Sequence, residues 1–192
     1  MNQATRIGLQ ATQRQVLTLI GGITQAESVV VGVEVAQFRL GNRRSSVERF
    51  KIENFEQEHG VNTFPAFRSL ASEEANHTLT MLKRRLELPN ELNALGVLDT
   101  VDQKSVDVNG VDATEDAFDL RSVLGRLEFS AAKVFVNWYR FDRIDEFEIE
   151  DLCKYFRDIF YPSADDLEIL DSNLTWLMSI RHYGAVKALR LS

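Results

Sequence analysis

VLTLIGGITQAESVVVGVEVAQFRL, residues 16–40, is an apolar-rich stretch whose periodicity decides the expected fold. Place heptad position a at Leu9, Val16, Ile23, Val30 and Gln37; position d then falls at Thr12, Leu19, Ala26, Val33, Leu40 and Val47. Nine of these eleven positions are apolar, a run sustained enough to form a coiled-coil-like seam. The seam predicts one long helix over residues 6–58, or a pair bent at Gly21-Gly22, with Gly60 as its C-terminal cap. Leu17, Ile20, Val29, Val31 and Val35 widen the apolar stripe beyond a two-stranded seam, so the helix needs more than one neighbour. The β-branched run Val29–Val35 supports a rival expectation, an α+β fold with a strand near residues 28–40.

The same stretch does not read as a membrane span. Thr18, Thr24, Gln25, Glu27, Ser28 and Glu34 interrupt it, and a carboxylate at mid-membrane costs roughly 2.5–3.5 kcal/mol on insertion scales. A single cysteine, Cys153, allows no internal disulfide, and a cytoplasmic setting is the expectation. With 44% hydrophobic and 27% charged residues, the composition excludes collagenous, disulfide-framework and wholly disordered chains.

Working outward toward the C-terminus, charge is distributed unevenly. The net charge of -7 arises mostly from residues 99–119, DTVDQKSVDVNGVDATEDAFD, where seven acids face Lys104 alone. With the turn dipeptide Asn109-Gly110 inside it, this stretch reads as an exposed connector. The expected organisation is a helical arm and hairpin over 1–98, an acidic linker over 99–113 and a helical bundle over 114–192. In the first part, a second helix starts near Asn62, Thr63 and Pro65 and stops before Pro89. The bundle's helices fall near 114–140, 146–161 and 164–190; the last shows Leu167, Leu170, Leu174 and Leu177 at i, i+3, i+7 and i+10. The expected fold class is therefore mainly α: a long N-terminal helix or helix pair plus a C-terminal three-helix bundle.

Few residues carry a chemical signature. Two Glu-x-x-His spacings, Glu56/His59 and Glu74/His77, present paired ligands as bundle di-iron sites do. They flank one loop on consecutive helices, one to two turns out of step, and solvated polar residues account for them better. Ser105, Asp107, Asn109, Gly110 and Asp116 match part of a calcium-loop spacing, but serine at position one and the shorter aspartate at position twelve depart from it. No Gly-x-Ser-x-Gly, phosphate loop, dinucleotide fingerprint or paired Cys-x-x-Cys is present. No catalytic residue, metal or cofactor is assigned. The basic cluster Arg39, Arg43, Arg44, Arg49 and Lys51 is interleaved with Glu48 and Glu53, which argues against nucleic acid as a partner.

The leading expectation is a non-catalytic protein–protein interaction or oligomerisation module with a regulatory role, whose partner is another protein or a second copy of the chain. Val16, Leu19, Ile23, Val30, Val33 and Leu40 would form the contact, with Glu27 and Glu34 flanking it to set partner choice. The alternative is a helical small-ligand sensor or metal-dependent enzyme with a site between the two halves, where Arg181, His182, Trp138 and Trp176 grip an anionic ligand. A further alternative is an acidic inhibitor that imitates nucleic acid.

Overall fold

A computed structural model describes residues 47–162 and 164–191. Their elements, in chain order, are α1 (Arg49–His59), β1 (Phe67–Ser69), α2 (Ser72–Arg85), α3 (Ala94–Lys104), β2 (Val106–Asp112), α4 (Leu120–Arg126), β3 (Lys133–Asn137), β4 (Ile144–Glu148), α5 (Ile149–Ile159), β5 (Leu167–Asp171), β6 (Trp176–Ile180) and β7 (Ala185–Arg190). The strands form one sheet in the order β1-β4-β3-β5-β6-β7-β2, with every neighbouring pair antiparallel.

Side chains alternate across this sheet and build two cores. Val134, Val136, Ile169, Met178 and Val186 face one side, where Val123 and Leu124 of α4 and Leu152 and Phe156 of α5 cover them. Phe135, Leu170, Leu177 and Leu189 face the other, under Leu82 of α2 and Val97 and Val101 of α3. Period-two alternation thus sorts each strand between two helical layers.

The mainly-α expectation is overturned. A seven-stranded antiparallel sheet stands where a three-helix bundle was expected, and the described residues hold neither that bundle nor a coiled coil. The reason differs by segment. The expected helix near 164–190 is three strands: β5 and β6 are buried along their whole length, so their leucines fill both faces and carry no alternation by which a strand would be told from a helix. The expected helix near 114–140 is only α4. Asp119 caps it through the Arg121 and Ser122 amides, and Glu128 ends it at φ 55° with the Phe129 N–H returning to Leu124 O. Of 146–161, the first residues close β4 and the rest are α5. The second expected helix starts at Ser72, because Phe67–Ser69 pair with β4 and Glu74 Oε2 then accepts the Ala71 N–H. The stretch read as an acidic connector holds the end of α3 and strand β2, which pairs with β7.

In the first quarter, Gly60 does terminate α1, at φ 110° with its N–H on Glu56 O. Val47, the last seam position, is buried in the first core. The remaining seam residues, with Glu27, Glu34 and the strand proposed near 28–40, lie outside the described residues. Among the described residues, no helix is long and apolar enough to cross a membrane.

Candidate functional site

Among the described residues, the reversal between β3 and β4 is the most unusual stretch of backbone. Tyr139, Arg140 and Phe141 follow one another in the left-handed region, at φ 78°, 66° and 61°. A single non-glycine residue there is uncommon, and each costs of order 1 kcal/mol or more against glycine. Surrounding contacts hold the turn. The Trp138 N–H donates to Arg143 O at 3.0 Å, and the Phe141 N–H to Asn137 Oδ1 at 2.9 Å. Asn137 is itself fixed, its Nδ2 donating to Glu168 Oε2 at 2.7 Å. Phe141 is buried in the second core, while Tyr139 is pushed outward.

Beside this turn opens a cleft of about 430 Å³, flanked by Phe50, Trp138 and Tyr139 and carrying the charges of Glu48, Arg143, Asp165 and Asp166. Three elements converge on it: the start of α1, the β3–β4 turn and the loop from α5 to β5. A buried cation ties them together. Lys51 is 1% exposed; its ammonium donates to Ile159 O at 3.1 Å and to Asp165 Oδ2, and lies 4.6 Å from the Trp138 ring centre and 5.0 Å from that of Tyr161. Burial pulls the Lys51 pKa below the usual lysine value, against the opposing hydrogen bond and charge of Asp165. Asp165 Oδ2 also accepts the Tyr161 N–H at 2.7 Å. Trp138 is locked from behind by Nε1 donating to Asp145 Oδ2 at 2.8 Å. By contrast, Arg143 makes no ion pair or side-chain hydrogen bond among the described residues.

The four residues expected to grip a ligand are not gathered into one site. Trp138 lines the cleft. His182, in the β6–β7 turn, reaches its edge through Asp166, whose Oδ1 accepts the His182 N–H at 2.9 Å and lies 3.0 Å from Nδ1. Arg181 lies on the second face, with Nη1 donating to fully buried Glu168 Oε1 at 2.7 Å and Nη2 3.8 Å from Asp102 Oδ1. Trp176, at the far end of β6, stacks on Phe129 at 4.8 Å and donates to Ser130 O. Tyr139, Arg143 and Phe50 complete the cleft, and the sequence carries no signal for Arg143 or Phe50.

The two Glu-x-x-His pairs lie on opposite layers and do not converge. Glu56 accepts the Asn62 N–H, and His59 packs at a tilt against Phe55 and lies 3.5 Å from Asp158. Glu74 binds Arg68 and the Ala71 N–H, and His77 is exposed beside a second cavity. Asp107, one of the calcium-spacing residues, is paired within the β2–β7 ladder opposite Lys187. Burial pushes the Cys153 thiol up to about 11, so it is held as thiol and not as the reactive thiolate. Comparisons with protein-family models, curated proteins and solved structures found no match to this chain.

Proposed function

We propose that this chain is a ligand-recognition module whose cleft at the β3–β4 turn takes a small zwitterion with an apolar body, an apolar amino acid or short peptide being the simplest case. One observation carries the proposal: three consecutive side-chain-bearing residues held left-handed beside an open cleft. Strain of this kind persists where surrounding structure over-determines it, and it concentrates at binding and active sites. Here it presents Tyr139 and Phe50 to the same cleft and leaves the Arg143 guanidinium uncommitted among the described residues. Arg143 suits a carboxylate, Glu48 and Asp166 suit an ammonium, and the two exposed rings suit the apolar portion. Binding is favoured over chemistry because Lys51 and Asp165, the enclosed acid–base pair, are already saturated by each other and by backbone.

The chain's two tryptophans make the test site-specific. Titrating L-phenylalanine and glycyl-phenylalanine into the full chain should shift the Trp138 indole N–H resonance with saturation and leave that of core-buried Trp176 unmoved. Arg143→Ala and Tyr139→Ala should each weaken the affinity by about tenfold, equivalent to roughly 1.4 kcal/mol. A Trp138 resonance that stays still with both probes, or one whose response survives both substitutions, overturns the proposal.

A further inference from the structure

On the opposite face, a cavity of about 470 Å³ lies between the N-terminal half of α2 and the sheet. Small-molecule sites fall in the range of roughly 300–1,000 Å³. Its floor is Leu70, Phe135 and Leu174, and Thr78 and Met81 form the helical wall. The floor is rigid for a definable reason. Leu174 sits left-handed at φ 53° in the β5–β6 turn, and buried Asp171 accepts the Asn173, Thr175 and Trp176 N–H groups around it.

Charges at the cavity mouth do not cancel. Arg68 donates to Glu74 Oε1 at 2.6 Å and to Glu146 Oε2 at 3.0 Å, and Lys133 donates to Glu146 Oε1 at 3.1 Å. Lys133 also lies 3.4 Å from Glu148 Oε1, so these two cations are spread over three carboxylates. Glu73, on the same helical turn as Glu74, has no ion pair or side-chain hydrogen bond among the described residues. The N-terminal end of α2 offers it about half an elementary charge, shared with Glu74, which leaves a net negative mouth over an apolar floor. A hydrophobic floor attracts either sign of ligand; the unbalanced carboxylate selects between them.

We propose that this groove is a second binding site, for an organic amine whose cationic head pairs with Glu73 and whose aromatic or branched apolar body rests on Phe135, Leu174 and Met81. It rests on different residues from the zwitterion cleft and stands or falls separately.

The chain contains three methionines, of which Met81 lines the groove and Met178 is wholly buried under the other face. Methyl-labelled methionine therefore reports the site by NMR on the full chain. Phenethylamine, 2-phenylethanol and phenylacetate share one apolar body and differ in head charge. Titrated at pH 7, phenethylamine should move the Met81 methyl with saturation and leave Met178 in place, while phenylacetate should bind at least about tenfold more weakly. Glu73→Gln, at an exposed position, should reduce the amine to the affinity of the alcohol. An unmoved Met81 methyl, phenylacetate binding as well as the amine, or a Glu73→Gln variant that keeps the full preference would each overturn the proposal. An unshifted Met178 methyl and an unchanged far-UV spectrum establish that the variant is folded.

Discussion

Two turns of the sheet use left-handed residues for opposite ends. At β5–β6, Leu174 alone is left-handed, and the conformation drives its side chain inward to become floor and core. At β3–β4, three residues in a row are left-handed; the last, Phe141, is buried, while Tyr139 is turned out toward a cleft. Their anchors differ in the same way. Asp171 is satisfied by amides of its own turn, so the β5–β6 clamp is closed within six residues. Asn137 leans on Glu168, Glu168 on Arg181, Arg181 on Asp102, and Asp102 on Lys187, a chain that runs from β3 through β5 and the β6–β7 turn to α3 and β7. A local clamp suffices where a residue is to be buried; the displayed turn is supported from across the molecule.

The difference can be broken at its most expensive link. Arg181→Met leaves the Glu168 carboxylate buried with only Asn137 beside it, and a stranded buried charge costs about 3–5 kcal/mol at neutral pH. Burial already lifts the Glu168 carboxyl above the ordinary carboxylate range, against the charge and hydrogen bond of Arg181. As pH falls, the folded variant therefore takes up a proton before the unfolded chain does, and stability referable to this group rises with acidity. Urea denaturation at pH 7 and pH 5 should show the deficit of the variant shrinking at the lower pH; a deficit that grows would contradict the assigned pairing. Asp171→Ala tests the closed clamp. Its loss strands three amide donors, for about 2–3 kcal/mol, and should loosen the Met81 groove while leaving the Trp138 indole resonance in place. The smallest effect sharpens the contrast by its sign: Arg140→Gly relieves backbone strain at an exposed position and should raise stability by about 0.5–1 kcal/mol in thermal unfolding.

How much of this could be read in the residues varies along the chain for physical reasons. The cap at Gly60, the apolar face of α5 at Ile149, Leu152 and Phe156, and the stop before Pro162 follow from local chemistry that the fold leaves intact. The sheet was hidden because β5 and β6 are covered on both faces, so Leu167, Leu170, Leu174 and Leu177 fall by coincidence at helical intervals. The β3–β4 reversal had no turn signature: Trp138-Tyr139-Arg140-Phe141-Asp142-Arg143 contains no glycine, proline or asparagine, and its geometry is imposed by Asn137 and the buried network. For the candidate site, Trp138 is among the residues expected to grip an anionic ligand, but its companions Phe50 and Arg143 come from segments whose meeting is a tertiary event. Glu74 and His77 share a helical face at i and i+3. The cavity they border depends on Phe135 and Leu174, far along the chain.

The strand order has a consequence for how this molecule comes into being. Both rims of the sheet, β1 and β2, precede in the chain every strand of its middle. A ribosome therefore delivers the borders first, and Phe67–Ser69 must wait for residues 144–148, and Val106–Asp112 for residues 185–190, before either gains a neighbour. Until β3 to β7 emerge, α2 and α3 lack the full sheet face they lie on, so the nascent chain gains its architecture late.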